Sequence, residues 1–129
     1  MALEVVATFL GGFATDVTAR EHTVRVDEPE RSGGTDTGMM PTELFCAALA
    51  SCFCLAVAHV ARRDGVALDR LEVDVEAERA GRELRYGRML VTARADVSLD
   101  PYMARAQRLC WASNTFAAPP DIEYRTEEP

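Results

Sequence analysis

The sequence predicts an α+β fold, with a long central helix and a second helix set against antiparallel sheets. Three observations lead there. The uncharged run from Leu44 to Ala61 is too long for a strand and suits a buried helix. Leu71 to Ala77 and Met89 to Val97 alternate apolar and polar residues, the period of a half-buried strand. Pro101 then opens a second helical stretch. The 129 residues, taken as 1–129, are the usual length of one domain.

Taken in order, residues 4 to 10 read as a strand, and Gly11-Gly12 marks a turn. Val17, Ala19, His22, Val24 and Val26 alternate partly, which suits a strand over Asp16 to Asp27. Pro29 ends it, and Arg31 to Gly38 reads as a flexible polar loop that could rim a binding site. Pro41 sits where a helix takes its first proline, with Glu43 in the acid-favouring first turn. That helix should run to Arg63 and stop at Asp64-Gly65. Its middle is apolar nearly all round, so protein must wrap it on every side. In so short a chain, a second copy is an attractive cover. The stretch around Gly81 and Gly87 joins the next two strands as a hairpin. A helix from Pro101 to Ser113 carries Cys110, Pro119-Pro120 breaks the chain, and Ile122 to Arg125 reads as a last strand. The expected order is β-β-α-β-β-α-β.

Composition excludes several functions. Net charge is −7, with no basic footprint to displace counterions, so neither nucleic acid nor an anionic membrane surface is an expected partner. All 14 basic residues are arginine. Without lysine there is no Schiff-base chemistry and no phosphate-loop lysine. Met1 to Leu10 lacks the basic, then apolar, pattern of an export signal. The run 44–61 has the length of a membrane span, but Ser51, His59 and three cysteines suit a buried soluble helix better. Four cysteines in this setting read as reduced thiols in a cytoplasm.

Those cysteines are the one concentration of reactive groups. Cys46, Cys52 and Cys54 share the central helix, where successive residues turn by about 100°, so they do not converge on one metal, and neither metal nor cofactor is expected. His59 shares the face of Cys52 but lies about 10 Å along the axis, too far for a thiol–imidazole pair. Cys46 and Cys54 read as small hydrophobes, the usual fate of helical cysteines. Cys110, beside Trp111, Ser113 and Asn114, could supply the second thiol that a peroxide-reducing cysteine needs.

The stretch from Gly33-Gly34-Thr35-Asp36-Thr37-Gly38 through Pro41-Thr42-Glu43-Leu44-Phe45 to Ala50-Ser51-Cys52 resembles the signature of the OsmC/Ohr family, the osmotically inducible protein C and organic hydroperoxide resistance proteins. Leu71 to Glu78 and the run Arg108-Leu109-Cys110 with Ser113-Asn114-Thr115 extend the resemblance over nearly the whole chain. It implies an OsmC-like fold in an intertwined homodimer, with central helices back to back and the active sites at the interface. It implies a thiol-dependent peroxidase acting in the oxidative stress response. Cys52 would attack the hydroperoxide and become a sulfenic acid. Cys110 would condense with it, and an external dithiol would reduce the disulfide.

Two positions depart from the Ohr branch of that pattern. Phe13 follows Gly11-Gly12 where the branch has arginine, and Thr42 follows Pro41 where it has glutamate. Glu43, one position on, and Arg20 or Arg25 of the preceding strand are the replacements to be tested. The alternative reading is a non-enzymatic relative that binds a small apolar or thiol-reactive ligand in a pocket lined by Phe45, Phe53, Trp111 and Phe116. A structural dimer with inert cysteines is the third.

Overall fold

The computed structural model describes residues 2–129. Its elements are β1 (Val6–Gly11), β2 (Ala14–Ala19), β3 (His22–Val26), α1 (Pro41–Arg63), β4 (Glu72–Arg79), β5 (Tyr86–Arg94), α2 (Asp100–Leu109) and α3 (Trp111–Ala117). The chain gathers into two compact units, one ending at Ala47 and the other Ala48–Pro129.

In the first unit, β1, β2 and β3 form an antiparallel sheet in chain order. The expected single strand over 16–27 is two strands, because the chain reverses at Arg20, which takes the left-handed conformation at φ 55°. The register sets Val17 between Ala7 and Val24, and Asp16 opposite Arg25. There Arg25 Nε donates to Asp16 Oδ1, a cross-strand pair that fixes register at the sheet edge. Only Val26 among the strand residues is buried.

The loop expected to be flexible is pinned. Asp27, fully buried, accepts hydrogen bonds from the N–H of Glu28 (2.7 Å), the Thr35 hydroxyl (2.8 Å), and the N–H and hydroxyl of Thr37 (3.1 and 2.7 Å). The two inner glycines are there for space. A Cβ at Gly34 would fall 1.9 Å from the Glu28 carbonyl oxygen, and one at Gly38 would fall 2.2 Å from that of Arg25. No side chain fits such contacts.

Helix α1 has the bounds read from Pro41 and Asp64-Gly65. At its start the Met40 N–H donates to Glu43 Oε1 at 2.9 Å, satisfying a donor the helix leaves open. At its end the N–H groups of Asp64 and Val66 return to the carbonyls of Val60 and Ala61. Although long and apolar enough to cross a bilayer, with a hydropathy of 2.2, α1 buries Leu49, Phe53, Ala56, Val57, Val60 and Ala61 in a protein core.

That core belongs to the second unit. The α1 face meets Leu99, Tyr102, Ala106 and Cys110, and Val73, Val75, Met89, Val91 and Ala93 of the β4–β5 hairpin pack against it. Val75 opposes Val91, and Val73 opposes Ala93, so the alternation seen in sequence puts one face inward. The outer face carries the ion pairs of Arg94 with Glu72 and Asp74.

Two expectations for the C-terminal third fail. The helix expected from Pro101 to Ser113 is broken at Cys110, whose extended ψ of 105° separates α2 from α3. Residues 122–125 form no strand, since no neighbouring strand offers them a ladder.

Candidate functional site

Cys52 and Cys110 come together in the second unit. Cys52 sits on the flank of the buried α1 stripe, half-buried against the core. Cys110 occupies the break between α2 and α3 and is 0% exposed. Both are free thiols, and the Cys52 side chain is among the neighbours that draw the Cys110 thiol down.

The chain break explains how Cys110 is held. Cys110 is extended and stands as the N-cap of α3, where a helix leaves backbone donors without helical partners, and its side chain makes no cap hydrogen bond. Burial pushes the Cys110 thiol up. Against that act the neighbouring Ser113 hydroxyl and N–H, the Cys52 side chain and the Ala112 N–H, which together bring it below the usual thiol value. The Ser113 hydroxyl donates to the Cys110 carbonyl oxygen at 3.3 Å.

The other two residues expected at the site lie in the first unit. Glu43 is engaged at the start of α1 by the Met40 N–H. Arg20 is not on a strand, as its position in the alternation suggested, but in the exposed β2–β3 turn, 3.9 Å from Glu21. Arg25 lies on β3 as expected, and its guanidinium is committed to Asp16. Cys46 is pushed up by burial and then by the neighbouring Glu43 carboxylate, so it is a poor nucleophile.

The aromatic residues expected to line one pocket do not share a setting. Phe53 is in the core, whereas Trp111 is 83% exposed and Phe45 and Phe116 are partly exposed. The second unit instead holds a cavity of about 590 Å³ lined by Leu49, Phe53, Met89, Val91, Met103 and Ser113 among others. Ser113, whose hydroxyl donates to the Cys110 carbonyl, is the link between that lining and Cys110. A larger depression of about 720 Å³ is flanked by Leu55, His59 and Arg62, and neither cavity includes Cys52 or Cys110 in its lining. Sequence reasoning noted Ser113 only as a polar neighbour. Its signal was the spacing Cys110-x-x-Ser113, which aims a side chain at position three of a helix back over the residue that begins it.

The α+β chain thus sets two free thiols, Cys52 and Cys110, against one core beneath the β4–β5 hairpin. Residues 34–125 match the OsmC-like protein family, and the chain belongs to that family. An OsmC-like protein from Mycoplasma pneumoniae superposes with a TM-score of 0.78 at 13% identity, over 92% of this chain and 89% of that one. An organic hydroperoxide resistance protein OsmC from Legionella pneumophila gives 0.68 at 21% identity, over 92% of each. The organic hydroperoxide resistance protein OhrB of Bacillus subtilis gives 0.61 at 23% identity, over 92% of this chain and 93% of that one. These likenesses establish the OsmC-like fold. Comparison with functionally curated proteins returned no match.

Proposed function

We propose that this protein is a thiol-dependent peroxidase that reduces organic hydroperoxides through Cys52, with Cys110 as the resolving thiol. The observation that carries the reading is that two free thiols border the same core, Cys52 half-buried and Cys110 sealed. Family membership supports a peroxide-related role, since relatives of the same fold are named organic hydroperoxide resistance proteins.

In this cycle the hydroperoxide meets Cys52, the more accessible member of the pair. Cys52 ionises, and its thiolate attacks the terminal peroxide oxygen. The O–O bond breaks, the alkoxide takes up the proton that Cys52 released and leaves as the alcohol, and Cys52 carries a sulfenic acid. The Cys110 sulfur then attacks the Cys52 sulfur, water leaves, and a disulfide forms. An external dithiol restores both thiols. Glu43 and Arg20 remain the residues proposed to assist at the site, and no cofactor takes part.

The working form proposed is a homodimer in the cytoplasm, with residues 1–129 of each copy forming one OsmC-like domain. Four free cysteines suit that reducing compartment. Support for a second copy comes from what is left uncovered. Leu55 on α1 is 71% exposed, and Val5, Val6, Phe9 and Phe13 are exposed in the first unit. A single chain seldom leaves so much apolar surface in water.

Mass spectrometry of the reduced protein after one equivalent of cumene hydroperoxide tests the reading. Loss of two hydrogens mapping to a Cys52–Cys110 bridge, absent in Cys52→Ser, is the expected result. Thiols that stay reduced, or oxidise no faster than free cysteine, would overturn it. The cavity at Ser113 favours a second reading, a binding protein for a small apolar ligand, which that negative result would leave standing.

A further inference from the structure

The end of α1 and the last turns of α2 border a third cavity, of about 300 Å³, whose lining includes neither thiol of the pair. It is lined by Val60, Arg63, Asp64, Arg105, Arg108 and Leu109. Three of these six carry guanidinium groups and one a carboxylate. Asp64 is already engaged, since both its oxygens accept from Arg105, at 2.9 and 2.7 Å. The side chains of Arg63 and Arg108 have no ion pair and no hydrogen bond among the described residues. The cavity therefore holds two positive charges in excess, in a chain whose net charge is −7.

Basic residues in the last turn of a helix complement its dipole, which accounts for the presence of Arg63 on α1 and Arg108 on α2. It does not account for their lining one cavity. The Arg105–Asp64 pair brings that about. Arg108 lies one turn beyond Arg105 on the same face of α2, and Arg63 precedes Asp64 in the chain. Free carbonyl oxygens would repel an anion at such helix ends, but here they are taken. Those of Val60, Ala61 and Arg62 accept the N–H groups of Asp64, Val66 and Gly65, and that of Arg108 accepts Asn114 Nδ2 at 3.0 Å. Val60, 2% exposed, and Leu109 supply apolar wall, where charges are screened less than in open water.

We propose that this cavity binds a small molecule bearing a phosphate monoester dianion, held between the guanidinium groups of Arg63 and Arg108. The two surplus charges match the two of the ligand, and the planar arginine fork suits phosphate oxygens. The volume is at the small end for ligand pockets, so the organic part is short and rests on Val60 and Leu109. The site is separate from the thiol chemistry proposed above and stands or falls without it.

Isothermal titration of the full-length reduced protein with phenyl phosphate, at low ionic strength and a pH where the ester is a dianion, tests the proposal. Saturable one-to-one binding is expected, weakening when salt is raised to about 0.5 M. Arg63→Gln and Arg108→Gln should each weaken it roughly 5- to 10-fold, and the double variant should abolish it. Both positions are exposed, so melting temperatures should stay within about 2 °C of wild type. Arg82→Gln removes the same charge from the turn between β4 and β5, outside the cavity, and should leave binding within about twofold. Benzenesulfonate, with the same body and one charge, should bind about 10-fold more weakly.

No saturation by about 10 mM phenyl phosphate would overturn the proposal, as would binding retained in the double variant. Equal weakening by Arg82→Gln would also overturn it, by showing attraction to overall charge and not to a site. Benzenesulfonate binding as tightly as phenyl phosphate would overturn the assignment to a phosphate dianion.

Discussion

Arg105 grips Asp64 with both guanidinium nitrogens, Nη1 to Oδ1 at 2.9 Å and Nη2 to Oδ2 at 2.7 Å. The pair ties α2 to the residue that ends α1, and Arg105 also lies over the Tyr102 ring at 5.9 Å. Both α2, which leads into Cys110, and α1, which carries Cys52, are therefore joined at a point away from the thiols. The Arg105 hydrogen bond holds the Asp64 carboxyl below its ordinary value. A depressed carboxyl stabilises the fold above its unfolded pKa of 3.8 and loses that contribution as pH falls through the folded value. Solvent screens this pair, so Arg105→Ala should lower Tm by no more than about 3 °C at pH 7, and the gap should narrow below pH 4. Scanning calorimetry at several pH values checks both.

Asp27 should matter more. It is fully buried with four donors, and the Thr37 hydroxyl and N–H lead in pulling its carboxyl far below the ordinary range, against burial. Asp27→Asn replaces an acceptor by a group that brings its own donors to a site already full of them. A fall in Tm of roughly 5–10 °C is expected near neutral pH. The difference from wild type should persist down to about pH 4 and shrink progressively on further acidification. Equal melting of the two proteins at pH 7 would show that the loop does not depend on this carboxylate.

Thiol labelling should separate the pair without any peroxide. In the reduced native protein, iodoacetamide should modify Cys52 well before Cys110, although the Cys110 thiol lies below its ordinary value, because Cys110 is sealed and Cys52 is half-buried. Peptide mapping over a time course gives the order. In denaturant the two should label at similar rates.

Val57 is 0% exposed at the centre of the α1 stripe. Val57→Ala should cost about 1–3 kcal/mol in urea unfolding, the sum of lost burial and a small cavity. A smaller loss would mean that the surrounding residues collapse into the space.

If a second copy covers α1, a charge at Leu55 should disrupt it. Leu55→Glu should convert the wild-type dimer to monomer in sedimentation velocity, with the second unit still folded by circular dichroism. A wild-type protein that sediments as a monomer would remove the homodimer from the proposed function.

How much of this was legible in the sequence depended on whether the signal was local. Helix α1 was bounded correctly because Pro41 and Asp64-Gly65 are terminus signals of their own. The β4–β5 hairpin was legible from its alternation, but its second strand runs Tyr86–Arg94, three residues before the expected Met89 to Val97. The turn at Arg20 was missed because arginine there is a poor advertisement for a positive φ. The break at Cys110 was missed for a different reason. Nothing between Pro101 and Ser113 breaks a helix intrinsically, so burial of the Cys110 side chain decides the backbone. The residues flanking Cys110 were on view, but the approach of Cys52 and Cys110 to one core depends on that tertiary decision. Asp27 was similarly visible as a residue and invisible as a hub, since its partners stand up to ten positions away.

The three-stranded sheet of the first unit keeps one strand residue out of water, whereas the β4–β5 hairpin is floored by a full core. Strands so thinly covered hold together only with an apolar partner. In the homodimer proposed above, the order of β1, β2 and β3 therefore becomes a matter of mass action. Dilution should hasten amide exchange in those strands while leaving β4 and β5 as slow as before, so that one chain carries a concentration-dependent half and a concentration-independent half.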